Sequence, residues 1–264
     1  ARKHTAPDQL AVWERERHTW DVVSGEWDHA VQAPLLWEDD GQAVLLMAEQ
    51  KGRTHLWRFD LPDRRAERVV SGGTLQGFDK RAGVLVTLAD AVDHPARLTA
   101  HLPGQPPRRI ESFNDKVLAG VAMARTEEVW YTGAQDEPVQ MWLSYPPDFD
   151  PKKKYPILQV IHGGPHTAFG DAFHYRWNVQ TFAAQGYVVA CVNYHGSSSF
   201  GWAFLDSITH RWGELELQDI ERATDWLLHK PWADAKRVFA TGGSYGGYMV
   251  AWMNGHVAAG RYAA

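Results

Sequence analysis

The sequence predicts two fold classes in series. Short antiparallel strands grouped as blades of a β-propeller come first, and an α/β unit with a parallel sheet sandwiched between helices follows. Three observations carry this expectation. A weak internal repeat of 42 positions runs through the first half, linking Gly41 to Gly83 and Leu56 to Leu98. From Tyr155 onward, strand-like and helix-like stretches alternate. A Gly-Gly-Ser-Tyr-Gly-Gly run, residues 242–247, lies between a strand-like stretch and a helix-like one.

In the first copy of the repeat, Leu35–Trp37 is followed by Ala43–Ala48, His55–Leu61 and Arg68–Val70. In the second, Leu75–Phe78 is followed by Val84–Leu88, Arg97–Pro103 and Arg108–Ile110. Four strand-like runs in about 40–45 residues make the unit of a propeller blade. Leu10–Val23 reads as the end of a preceding blade. The spacing alone also admits a plain antiparallel sheet. Closing a propeller takes about four to eight blades. Residues 1–117 are therefore expected to hold two or three blades of an incomplete one.

The second region is expected over 118–264. Tyr145–Tyr155 concentrates Pro, Lys and Asp and reads as a surface loop. Its Lys152–Lys154 run is a solvated turn. Ile157–Ile161 is a short apolar strand ending at His162-Gly163-Gly164-Pro165. A helix-like stretch from Trp177 to Gln185 leads to Tyr187–Val192, whose β-branched residues suit a fully buried strand. Leu217, Ile220, Ala223, Leu227 and Leu228 recur at three- and four-residue spacing, which gives one helix an apolar face. Pro231 stops that helix soon after His229. Val238–Thr241 is a further strand. This alternation implies a parallel sheet covered on both faces.

Composition removes several function classes. The 264 residues carry 27 Lys+Arg and 32 Asp+Glu, a net charge of -5 that gives no electrostatic reason to expect a nucleic-acid partner. A single cysteine excludes an internal disulfide. The longest apolar runs fall far short of the ~20 residues that span a bilayer, so no membrane partner is expected. No cofactor motif is present, and compartment and oligomeric state are not written in these residues.

The chemistry centres on Gly242-Gly243-Ser244-Tyr245-Gly246-Gly247, which fits G-x-S-x-G with a strand before it and a helix-competent run, Tyr248–Asn254, after it. A sharp strand-to-helix turn lifts the serine hydroxyl above the sheet, and that backbone tolerates only small neighbours. This context favours a nucleophilic Ser244 over a structural Gly-rich turn. The helix N-terminus lies where negative charge would develop. A nucleophilic serine also needs two amide donors for the oxyanion. One comes from the residue after it, Tyr245. The other comes from an early strand-to-helix loop, whose form Gly163-Gly164 has. His162 is expected to brace that loop rather than act as the base. His162, His166 and His174 do not form a metal motif, because Gly163, Gly164 and Pro165 break any helix between them. Cys191 lies inside an apolar strand and reads as a buried, inert thiol. Glu127-Glu128 reads as a solvated edge.

On these motifs, Tyr155–His256 resembles the prolyl oligopeptidase family of serine peptidases. His162-Gly163-Gly164-Pro165-His166 and Gly242–Met249 resemble its acylaminoacyl-peptidase branch. Gly170–Asn178 and Asn193-Tyr194-His195-Gly196-Ser197 are similar to its dipeptidyl-peptidase V-type members. The resemblance implies an α/β hydrolase domain behind a propeller that limits access to short or unfolded peptides. It also implies Ser244 as acylating nucleophile, the amides of Tyr245 and Gly164 as oxyanion hole, and peptide substrates.

In an α/β hydrolase the triad runs Ser, then Asp or Glu, then His. After Ser244 the sequence has no acidic residue, and its one histidine, His256, comes 12 positions on. The Asp and His are expected beyond Ala264, which makes the chain an internal fragment of a longer peptidase. A carboxylesterase or lipase uses the same elbow, and a non-catalytic binding protein is a third reading. The 264-residue chain alone is expected to turn over no dipeptide anilide, because Ser244 without a base is a weak nucleophile. Turnover that disappears in Ser244→Ala would contradict this.

Overall fold

The computed structural model describes residues 5–264. It divides into two compact units. One comprises residues 6–119 together with 170–173, and the other comprises 120–169 and 174–264 with Thr5.

In the first unit, β1 (Ala11–Glu14) and β2 (Thr19–Val22) form an antiparallel hairpin in which Trp13 pairs with Trp20. Two four-stranded antiparallel meanders follow. The first is β3 (Val31–Trp37), β4 (Ala43–Glu49), β5 (Thr54–Asp60) and β6 (Arg65–Val70). The second is β7 (Thr74–Arg81), β8 (Val84–Ala91), β9 (His94–His101) and β10 (Arg108–Arg109). A single parallel pair, Thr54 with Thr74, joins them into one sheet. The two meanders coincide with the two copies of the repeat. Gly41 and Gly83 occupy the same turn in each, with φ of 67° and 78°. These are left-handed values that glycine adopts without steric cost. A short helix α1 (Asp115–Leu118) ends the segment.

Strand β4 reads as a continuous apolar run because both its faces are covered. Val44, Leu46 and Ala48 pack with Val31, Trp57 and Phe59, while Leu45 and Met47 pack with Leu56, Leu75 and Leu85. β6 is largely exposed and carries charge.

The second unit is a five-stranded sheet in the order β11-β12-β14-β13-β15. Its strands are β11 (Thr126–Thr132), β12 (Pro138–Ser144), β13 (Tyr155–Ile161), β14 (Val188–Asn193) and β15 (Ala233–Gly242). Its helices are α2 (Val179–Ala183), α3 (Trp202–Asp206), α4 (Leu215–Leu228) and α5 (Tyr245–His256). β14, β13 and β15 are parallel, but β12 is antiparallel to both β11 and β14. The sheet is therefore mixed, where the sequence predicts a parallel one. Only a short 3₁₀ turn, Ala134–Asp136, connects β11 to β12, which permits only an antiparallel pair between them, and β12 then meets the distant β14 antiparallel as well. Strand β14 alternates between two cores. Val188, Ala190 and Val192 face one, and Val189 and Cys191 face the other. Burial pushes the Cys191 thiol well above its ordinary pKa, so it is inert. Residues 263–264 run along the free edge of β15. The Ala263 N–H donates to Val238 O at 2.7 Å, and Ala264 O accepts from the Ala240 N–H at 3.0 Å. Among the described residues no helix is long and apolar enough to cross a membrane.

His55 in β5 makes the first unit sensitive to acid. It is buried beside Trp57, and its Nδ1 has no hydrogen-bond partner among the described residues. Burial, with help from the charges of Arg68 and Arg53, pushes its pKa down to about 4. In the unfolded chain the ring takes up a proton near pH 6.5. Between those values the unfolded chain binds more protons, so stability rises with pH across this window and is lost as pH falls through it. The urea midpoint, followed by tryptophan fluorescence, should climb from pH 4.5 to 6.5 in the wild-type chain and climb less in His55→Gln. Parallel curves for the two proteins would contradict this assignment.

Candidate active site

The end of β15 and the start of α5 are joined by two residues, Gly243 and Ser244. Ser244 is exposed and has φ 55° and ψ -122°. A non-glycine residue held at positive φ stores strain and marks functional turns. This is the geometry of a strand-to-helix nucleophile elbow. Gly246 N–H donates to Gly243 O at 2.9 Å, and Tyr248 N–H donates to Ser244 O at 3.0 Å, so the helix begins directly after the serine. The elbow closes only because its glycines are bare. A Cβ on Gly246 would lie 2.1 Å from the carbonyl oxygen of Ile161, and one on Gly242 would lie 2.7 Å from the same atom.

Ile161 ends β13, and the loop after it is brought against the serine. A Cβ on Gly163 would sit 3.3 Å from Ser244 Cβ and 3.8 Å from its Oγ. Gly164 follows at φ 120°, a conformation open to glycine. Of the residues singled out from the sequence, Gly163 lies against Ser244, Tyr245 follows the serine directly, and Gly164 is next in the loop after Gly163. His162 is buried with both ring nitrogens engaged. Nδ1 lies 2.8 Å from Gly163 O, and Nε2 lies 2.9 Å from Ser197 Oγ. Its ring stacks on Tyr194 with centroids 4.1 Å apart, and the Tyr194 hydroxyl donates to His162 O at 2.8 Å. Burial pushes the imidazole pKa down to about 4, so the ring is neutral near pH 7. His162 braces the loop.

His166, His174 and His256 are committed elsewhere. His166 Nδ1 lies 2.9 Å from Gly196 O, and His174 Nδ1 accepts from the Arg176 and Trp177 amides. His256 is at the far end of α5, stacked on Trp252 at 3.6 Å. Twelve helical residues span about 18 Å, which puts His256 out of reach of Ser244.

Three residues near the site were not singled out from the sequence as functional: Glu216, Asp219 and His195. The first two lie on α4, whose buried face was expected to be apolar. Its buried residues include Leu215, Ile220, Ala223 and Leu227, but also Glu216, Asp219 and Thr224. Asp219 accepts from the Ala134 N–H, the His195 N–H and His195 Nδ1, each at 2.7 Å. Burial opposes charge on His195, but the Asp219 and Glu137 carboxylates together outweigh this and leave the imidazole pKa raised. Glu216 is fully buried and accepts a hydrogen bond from the Tyr245 hydroxyl. The available signal was the three-residue spacing of Glu216 and Asp219 within the apolar pattern of α4.

Space at the elbow yields a contrast between two glycines of α5. Gly246→Ala is expected to cost about 2–3 kcal/mol through overpacking against Ile161 O. A methyl group at Gly255 would meet nothing within 4 Å, so Gly255→Ala should gain roughly 0.5–1 kcal/mol of helix propensity. Urea denaturation of both variants checks the opposite signs.

Comparison with known proteins places this geometry. Residues 173–263 match the model of the prolyl oligopeptidase family. The probable dipeptidyl-peptidase 5 of Aspergillus clavatus is 32% identical over 250 residues, which cover 91% of this chain and 34% of the relative. The dipeptidyl-peptidase 5 of Schizosaccharomyces pombe is 36% identical over 259 residues, covering 94% of this chain and 37% of the relative. The chain thus spans about a third of the length of the curated relatives it matches. Among solved structures, Pyrococcus horikoshii acylaminoacyl peptidase superposes with a TM-score of 0.80 at 24% identity, over 93% of this chain and 38% of that one. Porphyromonas gingivalis dipeptidyl peptidase 4 gives 0.73 at 21% identity, over 92% and 35%. These two likenesses establish the fold, with its α/β-hydrolase unit. The serine elbow lies inside the segment that matches the prolyl oligopeptidase family, and the dipeptidyl-peptidase 5 relatives align over nine-tenths of this chain.

Proposed function

We propose that this chain supplies the nucleophile and oxyanion site of a serine peptidase that cleaves short peptides. The observation that carries the reading is Ser244 at positive φ on a strand-to-helix turn, with the Gly163 loop packed against it. In the proposed reaction, Ser244 Oγ attacks the scissile carbonyl carbon. The backbone N–H groups of Tyr245 and Gly164 receive the developing oxyanion. A general base takes the serine proton and passes it to the leaving amine as the C–N bond breaks. Water then hydrolyses the acyl-serine ester and frees the enzyme. The base and its carboxylate partner are proposed to lie beyond residue 264, since His256 is out of reach. The relatives' greater length supports this.

The two strand meanders, with residues 1–117 as the proposed region, are read as blades of a propeller that precedes the hydrolase unit of 118–264 in the chain. The 42-residue repeat and the four-strand grouping support this reading. Dipeptidyl release is favoured over acylaminoacyl release by the names of the curated relatives.

The test is a side-by-side assay of the full-length protein on an Ala-Ala anilide, an acetyl-Ala anilide and a butyrate ester, with Ser244→Ala as control. Cleavage of the Ala-Ala anilide is expected, with loss of at least about 10³-fold in the control. Cleavage of the ester alone would replace the peptidase reading with an esterase. Activity that survives Ser244→Ala would remove the nucleophile assignment.

A further inference from the structure

The elbow explains how Ser244 is exposed, but not what holds the residue after it. Tyr245 is buried although its backbone belongs to the turn. Its ring lies edge-on to Trp212, with centroids 5.4 Å apart, and contacts the rings of Tyr248 and Tyr194 at 5.2 and 6.3 Å. Tyr194 in turn stacks on His162, the residue that braces the Gly163-Gly164 loop. One run of rings therefore links the two arms of the oxyanion site. At its Tyr245 end the run stops at Glu216. This fully buried carboxylate accepts from the Tyr245 hydroxyl, and its two oxygens lie 3.3 and 3.2 Å from the Gly213 amide. Placing a carboxylate at zero exposure is costly unless its lone pairs are satisfied. Here the Gly213 amide and the side chain of the residue that carries the oxyanion amide, Tyr245, satisfy them. Trp252 Nε1 donates to Gly213 O at 3.0 Å and secures the same loop from α5.

We propose that Glu216 is a positioning residue for the oxyanion site. By holding the Tyr245 phenol, it fixes the backbone N–H of Tyr245 beside Ser244. The proposal rests on the peptidase reading above. Glu216 touches neither substrate nor the reacting atoms. Its effect passes through Tyr245, so it should be felt where charge develops on the substrate oxygen and not where the ground-state peptide binds.

The experiment uses the full-length enzyme that carries this chain and compares Tyr245→Phe, Glu216→Ala, Glu216→Gln, the Tyr245→Phe/Glu216→Ala double variant and Ser244→Ala. Folding is checked by near-UV circular dichroism. Tyr245→Phe and Glu216→Ala should each lower kcat by about 10–100-fold, less than outright removal of a donor, with KM moving less than about threefold. The double variant should be no worse than the poorer single one, because both act through one contact. Glu216→Gln, which keeps an acceptor oxygen, should recover most of the loss. Affinity for a dipeptide boronate, whose serine adduct mimics the oxyanion, should fall in parallel with kcat. Should Glu216→Ala fail to fold, Tyr245→Phe with Glu216→Gln decides the question. The positioning role is overturned if folded variants keep wild-type kcat, if the two losses multiply in the double variant, or if KM rises with kcat unchanged. Retained activity in Ser244→Ala would instead overturn the peptidase reading itself.

Discussion

The carbonyl oxygen of Ile161 is the constraint on which the site depends. It occupies the space that a side chain at Gly242 or Gly246 would need. Because both positions are glycine, β15 and α5 close down onto the end of β13. That closure brings the Gly163-Gly164 loop against Ser244 and forces Ser244 to positive φ. The strain in the serine backbone is held by the parallel pairing of β13 with β15, in register up to Ile161 and Gly242. A local backbone cost is thus borne by an extended ladder, the usual way in which functional strain survives.

Around this constraint, α4 works as a polar anchor. Its carboxylates at 216 and 219 are fully buried, yet neither lacks partners. Asp219 ties the turn before β12 and the loop after β14 to one helix, and a Cβ on Gly133 would meet its Oδ1 at 2.5 Å. Glu216 ties the same helix to the residue after the serine. Buried charges of this kind add little net stability, but removal of one partner is costly, and so they specify a single arrangement of the loops. Thr224 extends the pattern, accepting from Gln159 Nε2 at 3.0 Å beneath the sheet. The fold recurs in solved structures at 24% and 21% identity.

The parts of the fold legible in the sequence are those governed by neighbours along the chain. The Gly-Gly-Ser-Tyr-Gly-Gly turn, the His-Gly-Gly-Pro loop, the buried run of β14 and the four-strand groups all have periodicities or turn residues within a few positions. The antiparallel pairing of β12 was not legible, because it depends on which strand β12 meets across the sheet. Nor were Glu216 and Asp219, since a carboxylate in an apolar pattern is buried or exposed according to partners far away in sequence. Those partners are Tyr245, 29 residues away, and Ala134, 85 residues away. Residues 170–173 make the same point. In sequence they lie within the α/β half, yet they belong to the strand-rich unit. There Asp171 accepts from the Val92 N–H at 3.1 Å, its carbonyl accepts from Thr74 Oγ1 at 3.0 Å, and Arg53 lies 3.6 Å from its carboxylate.

By itself, then, the sequence determined a serine elbow, a glycine loop suited to an oxyanion and two strand groups, because turn chemistry and hydrophobic period act over a few residues. Only the tertiary structure decided that the loop meets the serine, that the sheet is mixed and that α4 buries two carboxylates. Each of those outcomes is a contact between segments tens of residues apart. Steric closure and the satisfaction of buried polar groups select such contacts, and neither leaves a local mark on the chain.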